Sequence, residues 1–415
     1  MQHFIKCVCL VLCMSMMAGV VGCTTNPSVT PSDTDTKPPV SDTDPVEPDT
    51  TPGTEDDTSA PATSEPDTSA PDTAGELDTS APDTTEPDTT PEPEIPEEPP
   101  ITHPLTGLVA ETDLSTKRPI AVMINNLRAS TPQEGIQHAD VIYECLVEGG
   151  ITRLMMISLD YGNLPEFGSI RSARDYYLNF AADYDAVFVH GGGSPFAYES
   201  IKDRKIQNLD GVNMWDVEDT YFYRSKERMK KMSYEHCLMT TGELIEAAIK
   251  YKKYRTELTE GFDYPLDFVA PDETVTYADI AEHIHIPFSI SQVTDFEYDK
   301  ETGEYLRYQF NGEKHVIGAT GEQLSFKNVM ILFCKTGAIT GDPKYRIDVD
   351  TVGEGSGYYA VNGTYTKIRW VKESDESPIH FYNMDGEPLL MNPGKTFVSV
   401  CPTSIESIVS MNYKK

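Results

Sequence analysis

Asp140-Val141-Ile142-Tyr143-Glu144-Cys145-Leu146-Val147 and, after Glu148-Gly149-Gly150-Ile151, Thr152-Arg153-Leu154-Met155-Met156-Ile157-Ser158-Leu159 read as two strands. Both are short apolar runs, and glycines stand between them. Pro119–Ile124 and Ala186–His190 are runs of the same kind. Helical periods lie among them. Ser172–Asp183 puts Ala173, Tyr176, Tyr177, Phe180 and Ala181 on one face, and Thr241–Tyr254 follows an N-cap signal at Thr240-Thr241-Gly242-Glu243. Strands mixed with helices predict an α/β or α+β layer domain over residues 104–255.

Pro265 and Pro271 break the periodicity, and the chain beyond reads differently. Thr294–Tyr298 and Tyr305–Phe310 flank a hairpin signal, Asp299–Gly303. Asn362-Gly363 between Tyr358–Val361 and Thr364–Val371 suits a type I′ turn, and Asp385-Gly386 marks another hairpin. Val329–Cys334 and Phe397–Cys401 read as buried strands. A mainly β domain over 265–412, sandwich-like or barrel-like, is expected.

The amino-terminal quarter is of another composition. Residues 4–19 are apolar but fall short of the roughly 20 residues a membrane span needs. They fit a removable signal peptide over residues 1–22. Val20-Val21-Gly22-Cys23 resembles a bacterial lipobox, with Cys23 as the lipidated residue. Residues 23–100 are rich in Thr, Pro and Asp, and Asp-Thr-Ser-Ala-Pro recurs at 57, 67 and 78. So few apolar residues predict a disordered spacer, spanning on the order of 50 Å as a flexible coil and about 240 Å as polyproline II. Residues 24–100 hold 21 acidic side chains against Lys37, so residues 101–415 carry about 15 of the 34 net negative charges. That balance argues against nucleic acid as partner.

Cys145, Cys237, Cys334 and Cys401 lie far apart, without metal-ligand spacing. Buried thiols are expected, with two disulfides as the alternative.

Four segments then form an ordered set: Arg118–Asn126, Ala139–Glu144 with Glu148–Arg153, Gly168–Tyr176 and Val189–Pro195. Gly353–Tyr358, Ile368-Arg369-Trp370 and Asn392–Thr396 follow. Together they resemble the YerB-like bacterial lipoprotein family, from about residue 104 onward. The resemblance implies fold, anchoring and a two-domain layout; the family's domains have no assigned reaction.

Arg171 and Arg174, three residues apart at a helix start, suit a phosphate or carboxylate. Internal pairing with Asp175, Glu148 or Glu144 is the alternative. His190-Gly191-Gly192-Gly193-Ser194-Pro195 places a glycine turn between a strand and a helix start, with Ser194 as N-cap and Pro195 at N1. Neither a Walker loop nor a GxGxxG fingerprint is present. His190 is a weak candidate for a general base or a strand-end histidine bonded to backbone, and Ser194 lacks a nucleophile elbow. The candidate ligand-binding set is Arg171, Arg174, Asp175, His190, Gly191, Gly192, Ser194, Glu148 and Arg153. Asn125-Asn126, Tyr221–Arg224, His236 beside Cys237, and His283 with His285 are weaker, and no metal or cofactor is expected.

These features predict a membrane-anchored extracytoplasmic lipoprotein that binds an anionic small molecule or cell-wall component. The alternatives are an envelope hydrolase or phosphoryl transferase using His190, and a protein-interaction scaffold.

Overall fold

The computed structural model describes residues 99–414. The signal segment, Cys23 and nearly all of the stalk lie outside the described residues.

Thirteen strands carry the architecture. Those of the first half are β1 (Ile120–Asn125), β2 (Val141–Leu146), β3 (Thr152–Ser158), β4 (Val187–His190) and β5 (Asn208–Asp210). Those of the second are β6 (His283–Pro287), β7 (Val293–Asp299), β8 (Glu304–Gln309), β9 (Asn328–Cys334), β10 (Gly353–Val361), β11 (Thr364–Lys372), β12 (Ile379–Tyr382) and β13 (Thr396–Pro402). The helices that matter are α1 (Asp175–Ala182), α2 (Pro195–Asp203) and α3 (Gly242–Lys252).

One 11-stranded sheet runs β11-β10-β9-β13-β2-β3-β1-β4-β5, with β12 and Asp279–Ile280 beside β11. β2 pairs in parallel with β13, Val141 opposite Thr396, so segments 104–255 and 265–412 share a sheet. The region is mixed α/β in its first half and mainly β in its second, as expected. The sandwich expected of the second half is only partly realised. β6–β8 form a small sheet facing β9 and β13 through Phe296, Phe326 and Phe397, but the opposing layer continues into the first half.

Both faces of the large sheet are covered, which explains strands that are apolar at nearly every position. In β1, Ile120, Val122 and Ile124 face α3 and the small sheet, while Ala121 and Met123 face α1 and α2. Local signals behave as written in the sequence. Ser194 caps α2 by accepting from the Ala197 amide at 3.0 Å, with Pro195 next. Thr241 caps α3. Asn362 and Gly363 both take positive φ, 53° and 72°, in a two-residue turn. All four described cysteines are free buried thiols, and burial raises the pKa of each.

Seven strands, β11, β9, β13, β2, β1, β4 and β5, run in one direction. Their carboxyl ends form one edge of the sheet, where ligands of open α/β sheets usually sit. Residues 101–110 lie at the opposite edge, where the Gly394 amide donates to Thr106 O ahead of β13.

Candidate anion-binding site

The loop Gly168–Arg174 lies across the carboxyl end of β1, with the Arg171 amide on Met123 O at 2.8 Å. It is zipped to the glycine turn after β4. Gly191 N donates to Arg171 O, Ala173 N to Gly192 O and Ser194 N to Ala173 O. The two motifs are therefore neighbours, but the contact consumes the groups expected to hold a ligand. The Gly192 amide donates to Asp210 Oδ1 at 2.8 Å, so the turn offers no nest of free N–H groups at Gly191, Gly192 or Ser194. Ser194 Oγ is occupied as the cap.

His190 is wholly buried. Nδ1 meets Gly192 O at 2.8 Å and Nε2 meets Asn208 Oδ1 at 3.0 Å. With both ring nitrogens bonded inside the fold, His190 is a structural residue and not a base facing a cleft. Its ring lies beside Phe188 and Tyr198, whereas Arg171 turns toward Glu235. The expected convergence of the two side chains does not occur.

Arg174 takes the pairing alternative. Its Nε donates to Glu148 Oε2 at 2.8 Å, Nη2 donates to Oε1, and Nη1 reaches Ala173 O at 2.7 Å. This bidentate clamp ties the start of α1 to the turn between β2 and β3. Burial would raise the Glu148 carboxyl, but the Arg174 bonds and charge outweigh it and hold the group below its ordinary value. Asp175 points elsewhere. It lines a cleft of about 960 Å³ with Asp348, Asp350, Asp375, Arg204 and Lys335. Burial, then Asp348, raises its carboxyl above the usual range.

Arg153 and Arg171 remain. Arg153, at the start of β3, is nearly buried; its side chain is 7% exposed. Nη1 donates to Ser172 O, and Nη2 stands 3.9 Å from Glu148, beyond hydrogen-bond reach. Burial and then the Arg174 charge push its pKa down to about 9. Arg171 is more open and bonds Glu235 at 2.9 Å, a carboxylate itself more than half exposed. Three guanidiniums thus face two carboxylates, and Arg153 lacks one of its own.

Residues 105–255 match the N-terminal domain, and 284–398 the C-terminal domain, of a family described as protein of unknown function, DUF3048. The chain belongs to this family. It is 28% identical over 304 residues to "Putative lipoprotein YerB" of Bacillus subtilis (strain 168), covering 72% of this chain and 86% of that one. It also resembles the crystal structure of YerB protein from Bacillus subtilis, with TM-score 0.62 and 26% identity over 72% of this chain and 96% of that one. The kinship expected from the motifs is confirmed.

Two features escaped the sequence reading. Glu144 on β2 and Arg307 on β8 form a fully buried pair at 2.8 Å. Thr152, Asn126 and Thr294 also donate to Glu144, and Arg307 donates to Gln309 and to His315 Nδ1. Burial and the Arg307 charge hold His315 far below its ordinary value, so the neutral ring donates from Nε2 to Gln133 at 3.0 Å. The available signal was parity: Tyr305, Arg307 and Gln309 share the buried side of β8. The second feature is Arg224-Ser225-Lys226-Glu227-Arg228-Met229-Lys230-Lys231, five cations against one acid in an acidic body.

Proposed function

We propose that this protein is a lipid-tethered extracytoplasmic lipoprotein that binds an anionic group of an envelope component at Arg153, with Arg171 at the rim. Arg153 carries the reading: it is a buried guanidinium with excess charge, at the edge of the sheet where ligands usually sit. An arriving phosphate or carboxylate supplies the missing partner. Three observations support the tether. The lipobox-like segment ends at Cys23, the relative is named a lipoprotein, and no helix among the described residues is long and apolar enough to cross a membrane. Binding is favoured over catalysis because His190 and Ser194 have their polar atoms committed within the fold.

The test is calorimetric titration of the mature chain carrying Cys23→Ser with inorganic phosphate and with phosphorylated envelope fragments. Arg153→Met weakens binding about tenfold or more, the worth of a charge-assisted hydrogen bond. Equal affinity in the two proteins removes the proposal. Cys23→Ser also releases the chain from the membrane fraction of cells; retention there contradicts the tether.

A further inference from the structure

The positive charge does not stop at Arg171. Glu235, which Arg171 holds, adjoins Tyr234, and Arg224 lies over the Tyr234 ring at 4.3 Å while donating to Tyr234 O at 3.1 Å. Arg224 leads into the short helix Lys226–Met229 and the turn after it. Arg228 is turned inward onto Ser130 O, Pro132 O and His236 O, and holds the segment against the body. Lys226, Lys230 and Lys231 are left exposed on the outside. Lys230 pairs with Glu227 at 2.6 Å, both side chains being largely exposed, a contact worth little in water. Among the described residues, Lys226 and Lys231 have no ion-pair partner. Glu134 stands 3.9 Å from Arg228, and Glu166 accepts from Tyr223.

We infer that the ligand of the arginine site is a linear polyanion, a chain of repeated phosphodiester charges, running from Arg153 past Arg171 and Arg224 to the three lysines. The inference rests on the reading of Arg153 given above and extends it. Charge complementarity is the argument. A body with about 15 net negative charges repels polyanions, so the four cations left among these eight residues once Arg228 is turned inward, joined through Tyr234 and Glu235 to the arginine site, mark the path along which one is accepted. A single small anion touches only one end of that path, whereas a polymer pairs with each cation in turn. Exposed Met229 and Tyr234 add apolar surface beside the charges, suited to the carbon skeleton between phosphates.

The test uses the mature chain with Cys23→Ser, and poly(glycerol phosphate) of increasing length beside inorganic phosphate. Affinity is expected to rise with polymer length. The triple variant Lys226→Glu, Lys230→Glu, Lys231→Glu is expected to lose tenfold or more for the long polymer and to bind inorganic phosphate unchanged. With about 0.7 counterions released per phosphate on a single strand, its slope of log K against log salt falls by about 2. Affinity independent of length, or a triple variant equal to the parent, overturns the polymer path and leaves the Arg153 site standing. Phosphate binding indifferent to Arg153→Met overturns the site beneath it. Binding to anionic phospholipid vesicles in place of the polymer overturns the inference in favour of a membrane surface.

Discussion

Replacing Arg307 by Met tests how the two halves of the body are held together. Arg307 and Glu144 are both inaccessible to water, and the pair joins β8 to β2 at 2.8 Å. In Arg307→Met the Glu144 carboxylate keeps Thr152 at 2.7 Å, Thr294 at 2.8 Å and Asn126 at 3.1 Å. It loses its only counter-charge among the described residues, and removing one partner of a buried pair costs about 3–5 kcal/mol. A body of about 300 residues unfolds with roughly 0.6 kcal/mol per kelvin of entropy, so a loss of about 4 kcal/mol lowers Tm by about 6 °C. Glu144→Gln alone leaves Arg307 charged and unpaired, at similar cost. The double variant Glu144→Gln, Arg307→Met has no buried charge and costs less than either single, so the coupling exceeds about 4 kcal/mol. Urea unfolding of the four proteins measures it. Single variants costing under about 1 kcal/mol, or a double variant as unstable as the sum, would refute the reasoning.

Other outcomes follow from the same geometry. His315 is held neutral when folded and regains its ordinary value of 6.5 on unfolding, so the unfolded chain binds more protons below pH 6.5. Stability falls as pH drops through that value, by about 1.4 kcal/mol per pH unit, and His315→Gln removes this component from the unfolding curves. Arg174→Met strands Glu148 and costs about 1–3 kcal/mol. Arg153→Met removes a poorly compensated charge and is neutral or stabilising; thermal melts of the two separate a clamp from a binding group. Ser194→Ala removes the cap of α2 and costs about 1 kcal/mol with no effect on anion affinity.

What was legible in the sequence was local. The apolar runs became β1 to β4, Ser194-Pro195 and Thr241 started helices, and Asn362-Gly363 made its turn, because each signal acts within a few residues. The parallel pairing of β2 with β13 was not legible, since it joins segments about 250 positions apart and leaves no local trace. The same limit governed the site. Glycines after a strand suggested free amides, but Asp210 and Arg171, which occupy them, are set there by the sheet. Spacing leaves Arg171 and Arg174 either one receptor or partners of Asp175, Glu148 or Glu144; the loop sends Arg174 to Glu148, one of those partners, and Arg171 to Glu235, which spacing does not indicate. Arg153 stands in the candidate set on its motif alone. Its importance comes from burial without a matching carboxylate, a property of packing.

The most direct measurement is the phosphorus-31 spectrum of inorganic phosphate titrated into the mature chain carrying Cys23→Ser, beside its Arg153→Met variant. Saturable broadening or shift in the parent, reduced about tenfold in apparent affinity in the variant, is the expected result. Identical titrations of the two proteins, or none in either, contradict an anion site built on Arg153.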